Sequence, residues 1–163
     1  MTLRDTEITL NDGTKTTLND IAGDNLILVV NTASECGFTP QLHQLENLQE
    51  TYGGRGLTVI GAPSNQFGGQ EPLPDEEIQQ HYAEDYNVSF PLLSKSDVNG
   101  EDADSVFQEL TKNADVDGEA GDVKWNFEKF LIDSDGEVVA RFRSATTPDD
   151  PDVVALLEEK LPE

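Results

Sequence analysis

One thiol is available for chemistry in this chain. Cys36, the only cysteine, stands in Asn25-Leu-Ile-Leu-Val-Val-Asn-Thr-Ala-Ser-Glu-Cys-Gly-Phe-Thr-Pro, where an apolar run gives way to a helix start. Strand-to-helix loops of α/β folds present side chains at a helix N-terminus, where unpaired backbone N–H groups and the positive end of the helix dipole favour an anion. A free thiol titrates near ~8.5, so little of it is thiolate at neutral pH, and such a position favours the charged form. Lowering a pKa by one represents about 1.4 kcal/mol of preference for the thiolate. Cys36 is therefore a candidate nucleophile. The plain alternative is a small buried hydrophobe, because free cysteine is among the most buried residue types, and position alone leaves both open.

The elements that must place this residue can be read along the chain. Glu7–Leu10 and Lys15–Thr17 flank Asn11-Asp12-Gly13, a hairpin signal. Asn25–Asn31 is a continuous apolar run suited to a central buried strand. Thr39-Pro40 opens a helix, with Thr39 as the cap, Leu42, Leu45, Leu48 and Tyr52 as the buried stripe, and Gly53-Gly54 as the stop. Leu57–Ala62 is a second buried strand. Pro74-Asp75-Glu76-Glu77 starts a helix running to about Tyr86. Ala103, Val106, Phe107 and Leu110 mark a third helix. Phe127–Ile132 and Glu137–Phe142 form strands joined by Asp133-Ser134-Asp135-Gly136, and Val153, Val154, Leu157 and Leu161 outline a terminal helix. The Gly-rich acidic stretch 113–122 reads as a mobile loop. This order, ββ-β-α-β-α-α-β-β-α without linker or repeat, implies one α/β domain over residues 1–163, a mixed sheet with helices on both faces.

Composition narrows the function classes. At 163 residues the chain is long enough for a real core. One cysteine excludes an intramolecular disulfide and a cysteine-rich metal site. The polar N-terminus lacks a signal-peptide stretch, and Leu26–Val30, the longest apolar run, is too short to cross a bilayer, so a cytoplasmic location is expected. Thirty-three acidic residues against ten basic give a formal net charge of −23. That charge repels phosphate backbones and anionic lipid, arguing against nucleic-acid binding and stable membrane association. It also strains the fold at low ionic strength, where the Debye length reaches ~30 Å at 0.01 M against ~3 Å at 1 M. Sparse lysine with abundant scattered Asp and Glu suits a halophilic cytosol. The competing readings are an acidic mesophilic protein or calcium binding, and no segment matches the calcium-loop pattern.

Three blocks then carry a resemblance. Asn31-Thr-Ala-Ser-Glu-Cys-Gly-Phe-Thr-Pro, Pro63-Ser-Asn-Gln-Phe-Gly-Gly-Gln-Glu-Pro and Lys124-Trp-Asn-Phe-Glu-Lys-Phe-Leu resemble the signature blocks of the glutathione peroxidases. Phe90-Pro-Leu-Leu-Ser-Lys-Ser-Asp-Val-Asn-Gly and Arg141-Phe-Arg-Ser-Ala-Thr-Thr-Pro resemble the connecting segments, so the match spans nearly the whole chain in order. The resemblance implies a thioredoxin fold, here with an N-terminal β-hairpin, its active site at the strand ends, and an antioxidant peroxidase of the oxidative-stress response. It implies Cys36 as the peroxidatic residue, with Gln70, Trp125 and Asn126 completing a catalytic tetrad and no cofactor.

The residue types suit that chemistry. A thiolate attacks one peroxide oxygen, the O–O bond breaks, the leaving hydroxide or alkoxide takes a proton, and the cysteine is left as a sulfenic acid. The two side-chain amides and the indole N–H are neutral donors, suited to holding a thiolate and an uncharged oxidant. Asn65, Gln66 and Gly68 are expected to shape the turn. His43 falls off the leucine stripe and His81 lies near the buried side of its helix; neither matches a chemical position, which argues against a Cys–His pair or a metal site. Lys124 is expected to be solvated, and Glu35 to point away from the thiol.

The chain also departs from the resemblance. The resolving cysteine of members that use thioredoxin would fall at about Tyr82, and the cysteine some carry before Asn-Gln-Phe is Ser64. No internal thiol can capture the sulfenic acid, so an external one must: a low-molecular-weight thiol, or a thioredoxin- or glutaredoxin-type partner. The basic residues that attract glutathione in tetrameric relatives have no evident counterpart. The insertion that builds the tetramer is missing between Leu110 and Trp125, which implies a monomer with an open site for organic hydroperoxides. The alternative to a peroxidase is a redox sensor that passes oxidation from Cys36 to a partner protein, or a non-catalytic binding module with an inert thiol.

Overall fold

The computed structural model describes residues 3–162; the first two residues of the polar N-terminus and the last residue of the chain lie outside it. Its centre is the apolar run. Strand β3, Leu26–Thr32, is buried at all seven positions because it lies between two other strands and under helices on both faces. (Strands β1, Glu7–Thr9, and β2, Lys15–Thr17, form the expected hairpin as a separate two-stranded sheet.) Strand β4, Leu57–Pro63, runs parallel to β3, and β5, Lys129–Ile132, runs antiparallel on its other side; β6, Val138–Phe142, closes the order β4-β3-β5-β6. This is the mixed sheet of a thioredoxin fold.

The alternation of β3 divides the core in two. Leu26, Leu28 and Val30 pack with Leu42, Leu45, Leu48 and Tyr52 of α2 (Gln41–Tyr52), Ile78 and Tyr82 of α3 (Asp75–Tyr86), and Val153 and Leu157 of α5 (Pro151–Lys160). Ile27 and Val29 face the other way, onto Leu18 and Ala22 of α1 (Leu18–Ala22) and Val106, Phe107 and Leu110 of α4 (Ser105–Leu110). Each such side chain contributes about 1.5–3 kcal/mol, so truncating Leu28 would cost about 2–5 kcal/mol. The sheet with its two helical faces is a rigid floor for the loops at the strand ends.

Several boundaries differ from those the sequence pattern predicts. Helix α1 has no counterpart in the pattern: its single turn, capped by the Thr17 hydroxyl accepting from Asp20 N–H, is too short to show a periodicity. Thr39 does not cap α2, because its hydroxyl is spent on the preceding turn, accepting from Cys36 N–H and donating to the Ala33 carbonyl. Helix α2 ends at Tyr52 with Gly53 as its cap, as the pattern predicts, and a 3-10 turn over Gly53–Arg55 follows, stopping at Gly56, whose φ of 112° only glycine adopts readily. Ala103 precedes α4, which starts after the Asp104 cap. Strand β5 begins at Lys129 rather than Phe127, since Phe127 is left-handed, with φ 67°.

The stretch 113–122 is pinned rather than loose. Arg141, wholly buried on β6, donates to the carbonyls of Thr111, Asn113, Gly121 and Asp122. Arg143 holds the Asp115 carboxylate at 2.8 Å. Composition marks this loop as polar and glycine-rich, but the groups that fix it come from β6 and the residue just after it, some twenty to thirty residues later.

Candidate active site

The end of β3 opens into the turn that carries Cys36. Thr39 N–H donates to the Cys36 carbonyl at 3.0 Å and the Thr39 hydroxyl accepts from Cys36 N–H at 2.9 Å, so the turn is closed on itself. Helix α2 starts only at Gln41, and the donor that reaches the sulfur belongs to the turn: Phe38 N–H to Cys36 Sγ is 3.3 Å. The thiol is buried, 8% exposed. The closed turn holds this backbone N–H against the sulfur, so the contact is in place before a substrate arrives.

Gln70 lies beside this turn. Its carbonyl accepts from Glu35 N–H at 3.0 Å, joining the residue before Cys36 to the loop after β4. The loop is built as expected of Asn65 and Gln66: Asn65 Oδ1 accepts from Glu71 N–H, and Gln66 Oε1 accepts from Val98 and Asn99 N–H. Gly68 is required where it stands, because φ is 67° and a Cβ would sit 3.3 Å from the Trp125 ring. Gln70 Oε1 in turn accepts from Asn126 Nδ2 at 2.9 Å. That bond leaves the Gln70 amino group as a donor without a protein acceptor among the described residues, available to a thiolate or peroxide oxygen.

Trp125 and Asn126 come from the segment entering β5. The Trp125 ring packs against Phe67 with centroids 5.9 Å apart and stays partly exposed, while Asn126 is wholly buried. Asn126 Oδ1 is buried with no hydrogen-bond partner among the described residues. The structure thus brings Gln70 and Asn126 into direct contact and sets Trp125 over Gly68. It ties Cys36 to them through the Glu35–Gln70 link, and among the described residues none of the three donates to Sγ.

Two residues that lie within the quoted blocks, but to which the sequence reading gives no role, support this arrangement. Glu71, with no exposure, accepts from the Ser34 hydroxyl at 2.7 and 2.9 Å and from the Tyr82 hydroxyl at 2.6 Å. It joins the loop after β4 to the turn before Cys36 and to α3. Burial, followed by the neighbouring Glu71 charge, pushes the Tyr82 hydroxyl well above its ordinary pKa, so Tyr82 stays a donor. The position at which a resolving cysteine would fall is thus filled by a phenol buried against the site. The second residue is Asn31, wholly buried at the end of β3. A polar residue following five apolar ones in a central strand is the available signal for it.

The remaining candidates stay apart from the thiol. His43 is exposed and packs edge-on against Tyr86, and His81 pairs with Asp85 at 2.7 Å. Lys124 is exposed and pairs with Glu119 at 2.6 Å, and Glu35 points to solvent. Ser64 is buried. Among the described residues no group of three or more His, Cys, Asp or Glu could hold a metal ion, and no helix is long and apolar enough to cross a membrane.

Comparison with known proteins agrees with the resemblance read from the three blocks. The family model for glutathione peroxidase matches residues 3–111. A hydroperoxy fatty acid reductase of Synechocystis is 46% identical over 156 residues, 96% of this chain and 97% of its own. The thioredoxin/glutathione peroxidase BtuE of Escherichia coli is 43% identical over 162 residues, covering 88% of each chain. Among solved structures, that of Trgpx in its apo form superposes with a TM-score of 0.74 at 32% identity, over 99% of both chains.

Proposed function

The chain belongs to the glutathione peroxidase family, and from that premise we propose that this thiol-dependent peroxidase works through Cys36, with Gln70, Trp125 and Asn126 as its partners. The observation that carries the assignment is the single thiol in a turn whose Phe38 N–H meets Sγ, joined by Glu35 to a Gln70 that is bonded to Asn126. The Cys36 thiolate attacks the near oxygen of hydrogen peroxide or an organic hydroperoxide. The O–O bond breaks, the sulfur is oxidised to sulfenic acid, and the departing hydroxide or alkoxide takes a proton from solvent at the open rim beside Trp125. The Gln70 amino group and the Trp125 indole N–H stabilise the charge that moves from sulfur to oxygen.

Regeneration comes from outside the chain, which has one cysteine. A first thiol displaces water from the sulfenic acid to form a mixed disulfide, and a second releases Cys36 and leaves as the oxidised disulfide. The relatives' names cover glutathione, thioredoxin and fatty acid hydroperoxides. A small thiol or a thioredoxin- or glutaredoxin-type protein is the reductant class here, and the partly exposed Trp125 rim suits bulky hydroperoxides. The same missing second thiol supports the alternative of a sensor that hands the oxidation to a partner protein.

The chain acts as one domain and a monomer, in keeping with a 113–124 segment that carries no insertion and folds back onto β6. A halophilic cytosol is its setting, supported by the net charge of −23. The test is peroxide turnover with dithiothreitol in molar KCl: Cys36→Ser should abolish it, and Gln70→Ala, Trp125→Phe and Asn126→Ala should each lower it by roughly ten- to a thousandfold. Turnover by Cys36→Ser at the wild-type rate would refute the assignment. If no thiol sustains turnover by the wild type, yet oxidation gives a disulfide-linked partner, the sensor reading replaces the peroxidase one.

A further inference from the structure

The segment that delivers Trp125 and Asn126 cannot hold its shape alone. Phe127, wholly buried, sits at φ 67°, a left-handed conformation that a bulky residue adopts only when its surroundings impose it. The regular ladder between β3 and β5 ends two residues away, at Val30 opposite Lys129. Past that point the turn leaves the Trp125 carbonyl and the Glu128 N–H without backbone partners across the sheet. Both are taken by one side chain: Asn31 Nδ2 donates to the Trp125 carbonyl at 3.0 Å, and Asn31 Oδ1 accepts from Glu128 N–H at 3.0 Å. The Asn31 backbone carbonyl accepts from Phe127 N–H at 2.7 Å. A carboxamide matches a peptide group in having a donor and an acceptor side by side, and here it extends the ladder for a chain that has turned out of register.

We propose that Asn31 is the positioning residue of this site: it imposes the left-handed turn at Phe127 and thereby aims Asn126 at Gln70 and stands Trp125 at the rim. The inference rests on the assignment of Trp125 and Asn126 as partners of Cys36. Asn31 acts through these two side chains and not on the sulfur, whose own N–H donor comes from Phe38. Its loss therefore removes peroxide reactivity while leaving the bare thiol in place, which general loosening of the fold would not do.

The experiment compares two reactions of Cys36 in molar KCl: oxidation by hydrogen peroxide, followed by mass spectrometry, and alkylation by iodoacetamide. In Asn31→Ala, oxidation should slow by roughly ten- to a hundredfold, the scale of a small misplacement of catalytic groups, while alkylation changes by less than about threefold. Asn31→Asp, of the same shape, keeps the acceptor for Glu128 N–H, sets an oxygen against the Trp125 carbonyl, and should be slowed as much. This second variant decides the matter if the alanine variant does not fold. Joined to the double variant Trp125→Phe/Asn126→Ala, either substitution should add less than about twofold further slowing, because Asn31 acts through these two side chains. A folded Asn31 variant that oxidises at the wild-type rate, or whose loss multiplies fully with that of the double variant, overturns the inference and leaves the assignment of the site intact. If Asn126→Ala and Trp125→Phe both oxidise normally, the site assignment itself fails and takes the inference with it.

Discussion

Lys129 offers a test of the energetics with a defined sign. It lies on β5, 1% exposed, and its ammonium donates to the Ser144 carbonyl at 3.1 Å. Burial lowers its pKa from 10.5 to about 7, against the opposing pull of the neighbouring Glu128 charge. Between about pH 7 and 10.5 the unfolded chain thus binds a proton that the folded chain does not. Folding bears the full cost of this burial below about pH 7, and stability rises with pH until the unfolded lysine also loses its proton near pH 10.5. At about 1.4 kcal/mol for each tenfold change in proton affinity, this lowering corresponds to roughly 5 kcal/mol. Lys129→Met keeps the volume and removes the charge. The Ser144 carbonyl keeps a partner, since Gln41 Nε2 also donates to it at 2.9 Å, so the loss of the lysine bond costs only about 1 kcal/mol. The variant should be more stable than wild type by about 2–4 kcal/mol at pH 6. That advantage should shrink steadily above pH 7 and vanish by about pH 10. Guanidinium unfolding of both proteins across this range, at fixed ionic strength, measures it. A difference that does not change with pH would refute the reasoning, as would a variant less stable at pH 6 than at pH 10 relative to wild type.

Three further outcomes follow from the same structure. Tyr82→Phe removes a donor from the buried Glu71 carboxylate and should lower stability by about 1–3 kcal/mol with an unchanged denaturant slope; an effect near zero would mean Glu71 does not rely on it. Asp115, held by the N–H groups of Glu119 and Asp117 and by Arg143, has its carboxyl lowered to about 2, so the contribution of these contacts is present at neutral pH and lost only as pH falls through that value. Arg143→Gln should raise the Asp115 pKa, read by NMR titration, and an unchanged value would show that the loop amides alone set it. The melting temperature should climb steeply from low salt to molar KCl as the net charge of −23 is screened; a flat profile would remove the halophilic reading.

How much of the molecule is legible in the sequence depends on whether the signal is local. The continuous apolar run of β3, the leucine stripe of α2 and the Asp133–Gly136 hairpin are dictated by patterns within a few residues, and the structure follows them closely. Cys36, Gln70, Trp125 and Asn126 stand out because each lies in a block resembling a known family, and the fold brings their loops to one end of β3 and β4. The groups that hold those loops are hidden, because their partners are remote in sequence. Asn31 reaches residues more than ninety positions away, Glu71 reaches Ser34 thirty-seven positions back, and Arg141 ties down a loop some twenty to thirty positions earlier. Thr39 shows the converse: a residue with the right type for a helix cap is drawn off by a nearer carbonyl, that of Ala33. Single buried polar side chains satisfying distant backbone groups leave no periodicity to read.

The central claim is that Cys36 is an activated peroxidatic thiol. Its most direct test is the second-order rate at which reduced protein in molar KCl forms the Cys36 sulfenic acid with hydrogen peroxide, followed by mass spectrometry beside free cysteine at the same pH. The arrangement of Phe38 N–H, Gln70, Trp125 and Asn126 predicts oxidation faster than the free thiol by about a hundredfold or more. A rate equal to that of free cysteine would contradict it.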